Sequence, residues 1–294
     1  MKVFVAVGTG FVGEHLVREL LKNGHSVRML QHSRSPLPGE VEQVAGDVTR
    51  LESFEEQVRG CDAVINLIGI IREFPARGVT FERLHVQATA NLLAAANRGG
   101  VRRYLQMSAL GSRPSAVSGY HRSKWRGEEL VRGSGLEWTI FRPSLIFGPH
   151  DAFINMLAAQ QRLAPVMPVI GSGSYRLQPI HADDVARCFT LALLLPETIG
   201  QTYELCGSDR LSYEALLDMI AEAMGRPAPW KPHLPLGLMK AVIPFMQKIP
   251  QFPITMDQLQ MLLEESIGGD EWQAIFGFKP RGLRDGIGEY LGKT

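Results

Sequence analysis

The first half of the chain alternates two patterns. Short apolar runs stand between longer stretches whose apolar residues recur about every three to four positions. Val3–Val7 is such a run and predicts a buried strand. In Phe11–Lys22, Val12, Leu16, Val17, Leu20 and Leu21 fall on one helical face, and Asn23-Gly24 supplies the stop. Further strands are predicted at Ser26–Leu30, Val41–Ala45, Ala63–Ile68, Arg103–Met107 and Trp138–Phe141. Helices are predicted at Leu51–Val58, Phe81–Asn97 and Tyr120–Val131. Strands that lack polar alternation are covered on both faces, and their alternation with helices implies a parallel sheet. Right-handed crossovers then make the fold class α/β, a doubly wound sheet.

From about Gly148 the pattern loosens, and Pro and Gly become frequent. A helix at Ala182–Leu195, a strand at Gln201–Leu205 and a helix at Tyr213–Met224 remain legible. The expected organisation is a core over 1–150, followed by 151–294 with the last core elements interleaved with a smaller C-terminal, substrate-side lobe. Within that lobe Leu234–Phe245 is strongly apolar, with Lys231, Lys240 and Lys248 around it. It reads as an interfacial membrane helix, a lid over an apolar substrate, or a helix folded onto the lobe. Pro235 and Pro244 shorten any helix there.

Composition removes several function classes. With 294 residues, 45% hydrophobic and 21% charged, the chain suits a globular protein whose core needs no staples. A net charge of +1 offers no field to gather nucleic acid. Cys61, Cys188 and Cys206 are widely spaced and none has metal-ligand spacing, so neither a metal site nor a disulfide framework is expected. No signal peptide is visible, and no apolar run reaches the roughly 18 residues of a membrane span. The expected location is cytoplasmic, with any contact to the inner membrane peripheral.

Gly8-Thr9-Gly10-Phe11-Val12-Gly13 lies between the first predicted strand and the first predicted helix. In that context it is a dinucleotide turn. Gly10 has no Cβ, so a pyrophosphate can approach the backbone, and Gly13 lets the helix pack close to the sheet. The helix start offers free N–H groups and a partial positive charge. An acid about 20 residues further on would hold a ribose 2′-OH. Here that position is near Gln31-His32, with no Asp or Glu between Ser26 and Gly39, and Arg34 lies just beyond. The reading is NADP(H) in preference to NAD(H), with Arg34 meeting the 2′-phosphate. Asp47 and Val48 are placed to flank the adenine, and Asn66–Gly69, including Leu67 and Gly69, to line the adenosine side.

Tyr120 and Lys124 stand four residues apart on a predicted helix and share a face. An unperturbed phenol, with a pKa of about 10, is a poor acid–base catalyst at neutral pH. A neighbouring ammonium is expected to lower that value. Ser108 ends the preceding strand, where ligands sit in open α/β sheets, and its hydroxyl could orient a carbonyl. Ser112 is a second candidate. His181 and Asp183 invite a metal or acid–base reading, but carboxylates before an apolar helix read better as caps.

In order and spacing these residues resemble the short-chain dehydrogenase/reductase superfamily, in its extended and atypical branches. The Gly-rich turn, Asp47, Asn66–Gly69, Ser108 and Tyr120-x-x-x-Lys124 carry the resemblance, with Arg142–Pro149 and Pro179–Ala186. Within the superfamily the chain is most similar to the group of the nucleotide-binding accessory subunit of respiratory complex I. Ser108–Gly111, Tyr203–Gly207 and Pro253–Leu259 suggest this. The resemblance implies a Rossmann fold with bound NADP(H) and Tyr120 as proton donor or acceptor. It also implies Lys124 as ribose anchor and modifier of the phenol, Ser108 as carbonyl polariser, and Pro143 and Ser144 beside the nicotinamide. The family usually opens its turn with Gly where this chain has Val7. The function expected is an NADP(H)-binding oxidoreductase acting on a small or lipid-like carbonyl or alcohol. An accessory or assembly protein of a membrane redox complex and a sugar-nucleotide epimerase or dehydratase are the alternatives.

Overall fold

The computed structural model describes residues 1–31, 41–247, 249 and 254–292. Arg34, Lys248 and Pro253 lie outside the described residues. The strands β1 (Lys2–Ala6), β2 (Ser26–Gln31), β3 (Val41–Ala45), β4 (Ala63–Asn66), β5 (Arg103–Met107) and β6 (Glu137–Pro143) join a last strand, Gln201–Leu205, in one seven-stranded sheet. Its order is last strand, β6, β5, β4, β1, β2, β3. All neighbours are parallel, and Val3 of β1 pairs with Val27 on one side and Ala63 on the other. The strand order reverses between β1 and β4. Their carboxyl ends therefore open on the crevice where such sheets bind ligands.

The helices follow in chain order as α1 (Phe11–Lys22), α2 (Glu55–Val58), α3 (Ala88–Gly99), α4 (Gly119–Arg132), α5 (Phe153–Leu163), α6 (Ala182–Ala192), α7 (Tyr213–Ala223), α8 (Leu236–Met246) and α9 (Met256–Leu263). One face of the sheet buries Leu16, Val17 and Leu20 of α1 with Val185 and Phe189 of α6. The other buries Phe54, Val58, Leu92, Ala96 and Val131. A third core, with Leu157, Leu216, Ile220 and Ile287, builds the C-terminal lobe. Among the described residues no helix is long and apolar enough to cross a membrane.

Three departures from the periodicity have local causes. β1 stops at Ala6 because Val7 takes a left-handed backbone, φ 65°, that cannot continue a strand. β4 stops at Asn66, whose side-chain oxygen accepts the Ile68 N–H at 2.9 Å and turns the chain. The single helix expected over Phe81–Asn97 opens instead with a π turn, Glu82–Gln87, before α3 begins.

Candidate functional site

The Gly-rich turn joins β1 to α1. Gly10 caps α1 without any side-chain hydrogen bond, so the amides of its first turn are left for another acceptor. A Cβ on Gly10 would touch nothing nearer than Val7, at 3.8 Å, which leaves the backbone open to approach. At Gly13 a Cβ would lie 2.6 Å from the Gly8 and Val7 carbonyl oxygens, so only glycine lets α1 sit this close. Gly8 is equally tight, its Cβ position falling on the Met29 thioether. Val12 packs against the core below, Phe11 stands edge-on to His15 at 5.4 Å, and Thr9 is partly exposed between them. Uncapped amides over a bare backbone fit a diphosphate.

At the end of β2, Gln31 is buried and its Nε2 donates to Gln43 Oε1 at 2.6 Å. Gln31 Oε1 has no partner among the described residues. This orphaned acceptor stands at the strand end expected to contact a ribose, and it carries no charge. Beyond β3, Asp47 accepts from the Thr49 amide and hydroxyl at 2.9 and 2.8 Å, and Asn91 donates to the Val48 carbonyl. That loop is thereby held in shape.

Leu67 is buried and Gly69 exposed, and the amine of Lys124 lies over Gly69. Lys124 is 3% exposed, and its Nζ donates to Ile68 O at 2.8 Å and Met107 O at 3.1 Å, at the carboxyl ends of β4 and β5. A Cβ on Gly69 would come within 3.1 Å of it. Burial lowers the Lys124 pKa to about 8.

Tyr120 opens α4, which Ser118 caps through the His121 amide. Its ring meets Phe81, His85 and His121 edge-on, at 6.0, 5.5 and 5.3 Å. Here the expectation of a lowered phenol pKa is corrected. Burial pushes Tyr120 up to about 12, and the Lys124 ammonium spends its hydrogen bonds on two carbonyls. Ser108 and Ser112 are brought together: both are buried, and Ser108 Oγ donates to Ser112 Oγ at 3.2 Å. Pro143 ends β6 and Ser144 follows it, but the Ser144 hydroxyl is spent on Gln178 O at 2.5 Å.

Several contacts at this site have no counterpart in the sequence pattern. Asp257 at the start of α9 accepts the Gly119 amide at 2.6 Å. Glu264, just past α9, takes both terminal nitrogens of Arg113 at 3.1 and 3.2 Å and lies 3.6 Å from His121. The C-terminal lobe is thus fastened over the loop from Ser108 to Tyr120. Glu128, fully buried on the far side of α4, binds Arg142 at 2.8 and 2.6 Å and Arg132 at 2.5 Å. This satisfies a carboxylate that would otherwise be costly to bury. His181 caps α6 through the Asp183 amide, and Asp183 accepts from His15 at 2.5 Å, pinning α6 to α1. A cavity of about 200 Å³ between Gln161, Pro165, Arg226, Pro227 and Pro229 belongs to the C-terminal lobe and holds none of these groups.

The chain is similar to several known proteins. The subunit 9 of the NADH dehydrogenase (ubiquinone) 1 alpha subcomplex from Arabidopsis thaliana mitochondria is 30% identical over 283 residues, 89% of this chain and 69% of that protein. A ceramide reductase from Caulobacter vibrioides is 33% identical over 189 residues, 63% of this chain and 58% of that protein. Among solved structures, MoeE5 in complex with UDP-glucose and NAD superposes with a TM-score of 0.77 at 21% identity, over 99% of this chain and 97% of that one, which speaks for the fold alone. Residues 3–206, from the first strand to the last strand of the sheet, match the NAD dependent epimerase/dehydratase family, and the chain belongs to it.

Proposed function

We propose that the protein is an NADP(H)-dependent oxidoreductase that reduces the carbonyl of an apolar substrate, with Tyr120 as the proton donor. The observation that carries this reading is the seat of Lys124 on the Ile68 and Met107 carbonyls, one helical turn from Tyr120 at the crevice. NADP(H), when bound, supplies the hydride. The chain's own residues do the rest. The uncapped start of α1 takes the diphosphate, and Lys124 offers its remaining N–H to a ribose hydroxyl. The Ser108–Ser112 pair orients the substrate oxygen through one hydroxyl while the other holds it in place. Burial holds the Tyr120 phenol protonated at neutral pH, so it meets a carbonyl oxygen as a hydrogen-bond donor.

The preference for NADP(H) rests on the sequence, which has no Asp or Glu from Ser26 to Gly39 and places Arg34 just after the end of β2. The apolar substrate class is supported by the name of the ceramide reductase relative and by the lip of the site. Ile71 and Phe74, past β4, are 50% and 39% exposed, and Phe245 of α8 is 73% exposed. Arg72 joins the two segments by donating to the Gln247 carbonyl at 3.2 Å. Such a lip suits a cytoplasmic protein that meets its substrate at a membrane surface.

A second reading, an accessory protein of a membrane redox complex, is favoured by the Arabidopsis relative, whose similarity runs over 89% of the chain. One experiment separates the two. Protein purified without added cofactor is unfolded, the released ligand is weighed, and NADPH consumption is followed with short and long-chain carbonyl compounds. The oxidoreductase releases NADP(H), consumes NADPH with a long-chain carbonyl and loses turnover in Tyr120→Phe. Tighter binding of NADH than NADPH overturns the cofactor assignment, and bound nucleotide without any turnover favours the accessory reading.

A further inference from the structure

The π turn at Glu82–Gln87 re-aims one side chain into the gap between the exit of β4 and α4. That side chain is His85, 2% exposed. Its Nε2 accepts the Ile70 N–H at 3.1 Å, and its Nδ1 lies 2.8 Å from Ser123 Oγ. Ser123 Oγ donates to the Tyr120 carbonyl at 2.7 Å. An amide N–H can only donate, so Nε2 must be the acceptor of a neutral ring and Nδ1 must carry the proton. The chain therefore runs in one direction, from Ile70 through His85 and Ser123 to Tyr120. Ile70 follows Gly69, over which the Lys124 amine rests.

The ring also acts by its faces. It stacks on Phe81 at 5.3 Å and 20°, and the Tyr120 ring meets it at 5.5 Å and 83°. Its backbone has no freedom to drift. The His85 carbonyl takes the Thr89 hydroxyl at 2.8 Å and lies 2.8 Å from where a Cβ on Gly127 would stand. Burial and the nearby Lys124 charge drive the His85 pKa down to about 2, so the ring stays neutral at any working pH.

We propose that His85, as its Nδ1–H tautomer, is a positioning residue that locks the loop ending at Ile70 to the first turn of α4 and so sets Tyr120 relative to Lys124. This rests on the reading of Tyr120 and Lys124 as the reacting pair. Two full-length variants divide its functions. His85→Gln keeps one acceptor and one donor but loses the ring, and His85→Phe keeps a ring but loses both hydrogen bonds.

In the wild type, nitrogen NMR shifts of the imidazole should report a bare Nε2 and a protonated Nδ1, unchanged from about pH 5 to 9. His85→Phe should expose the Ile70 amide to faster hydrogen exchange. It should also weaken NADPH binding roughly tenfold, the factor that corresponds to about 1.4 kcal/mol. His85→Gln should restore most of both. A ring protonated at Nε2, or one that titrates near neutrality, overturns the proposal. So does a folded His85→Phe with wild-type Ile70 exchange and NADPH affinity. If the wild type binds no NADPH, the functional reading fails, whereas the tautomer and the Ile70 exchange still decide the lock. If His85→Phe does not fold, the tautomer and His85→Gln carry the same decision.

Discussion

Replacing Val7 inverts a common order of stabilities. At an ordinary site, Ala is more stable than Gly by about 0.5–1 kcal/mol, because glycine loses more chain entropy on folding. Val7 sits at φ 65°, where the Cβ of an L-residue crowds its following carbonyl at a cost of about 1–2 kcal/mol. Val7→Ala and Val7→Gly both delete the two γ-methyl groups from a site that is 36% exposed and differ only in the β-carbon, so their difference reports chiefly the backbone. Strain relief less the entropy term leaves Val7→Gly more stable than Val7→Ala by about 0.5–1 kcal/mol. For a chain of this size that is about 1–3 °C in Tm. Paired urea and thermal melts read the difference directly, and Val7→Ala matching or exceeding Val7→Gly would refute the argument. The Val7 side chain also lies closest to the open space above Gly10, so Val7→Gly should tighten NADPH binding in a fluorescence titration.

Gly13→Ala forces a methyl group against the backbone of Gly8 and Val7, and should cost about 1–3 kcal/mol in a melt and abolish dinucleotide binding; unchanged affinity would remove the turn as the site. Asp257→Ala takes away the acceptor of the Gly119 amide and should lower stability by about 1 kcal/mol, read from the urea midpoint, while an unchanged midpoint means that α9 does not fasten the Tyr120 helix. Asp183 is held down at about 2, first by its hydrogen bond from His15. A depressed carboxylate stabilises the fold above its unfolded pKa of about 3.9, and that contribution disappears as pH falls through about 2. Asp183→Asn should therefore flatten the loss of stability between about pH 4 and 2, and an unaltered acid limb would place that linkage on another group.

The parallel α/β architecture, the turn at Gly8–Gly13 and the one-turn spacing of Tyr120 and Lys124 on α4 are all legible along the chain. Each depends on spacing within a few residues: a run of apolar side chains, a strand–turn–helix join, one turn of helix. The departures at the ends of β1 and β4 arise from a backbone angle and a side-chain hydrogen bond that apolar periodicity does not record. Other features had no local signal. Asp257 and Glu264 meet Gly119 and Arg113 across 138 and 151 positions of sequence, and His85 reaches Ser123 across 38. The direction of the Tyr120 shift was misread for the same reason. Spacing can place an ammonium one turn from a phenol, but only the packed structure decides how much water the phenol loses and which oxygens the ammonium binds instead. Hydrophobic periodicity and turn chemistry are properties of neighbours in the chain, whereas burial and hydrogen-bond partners are properties of neighbours in space.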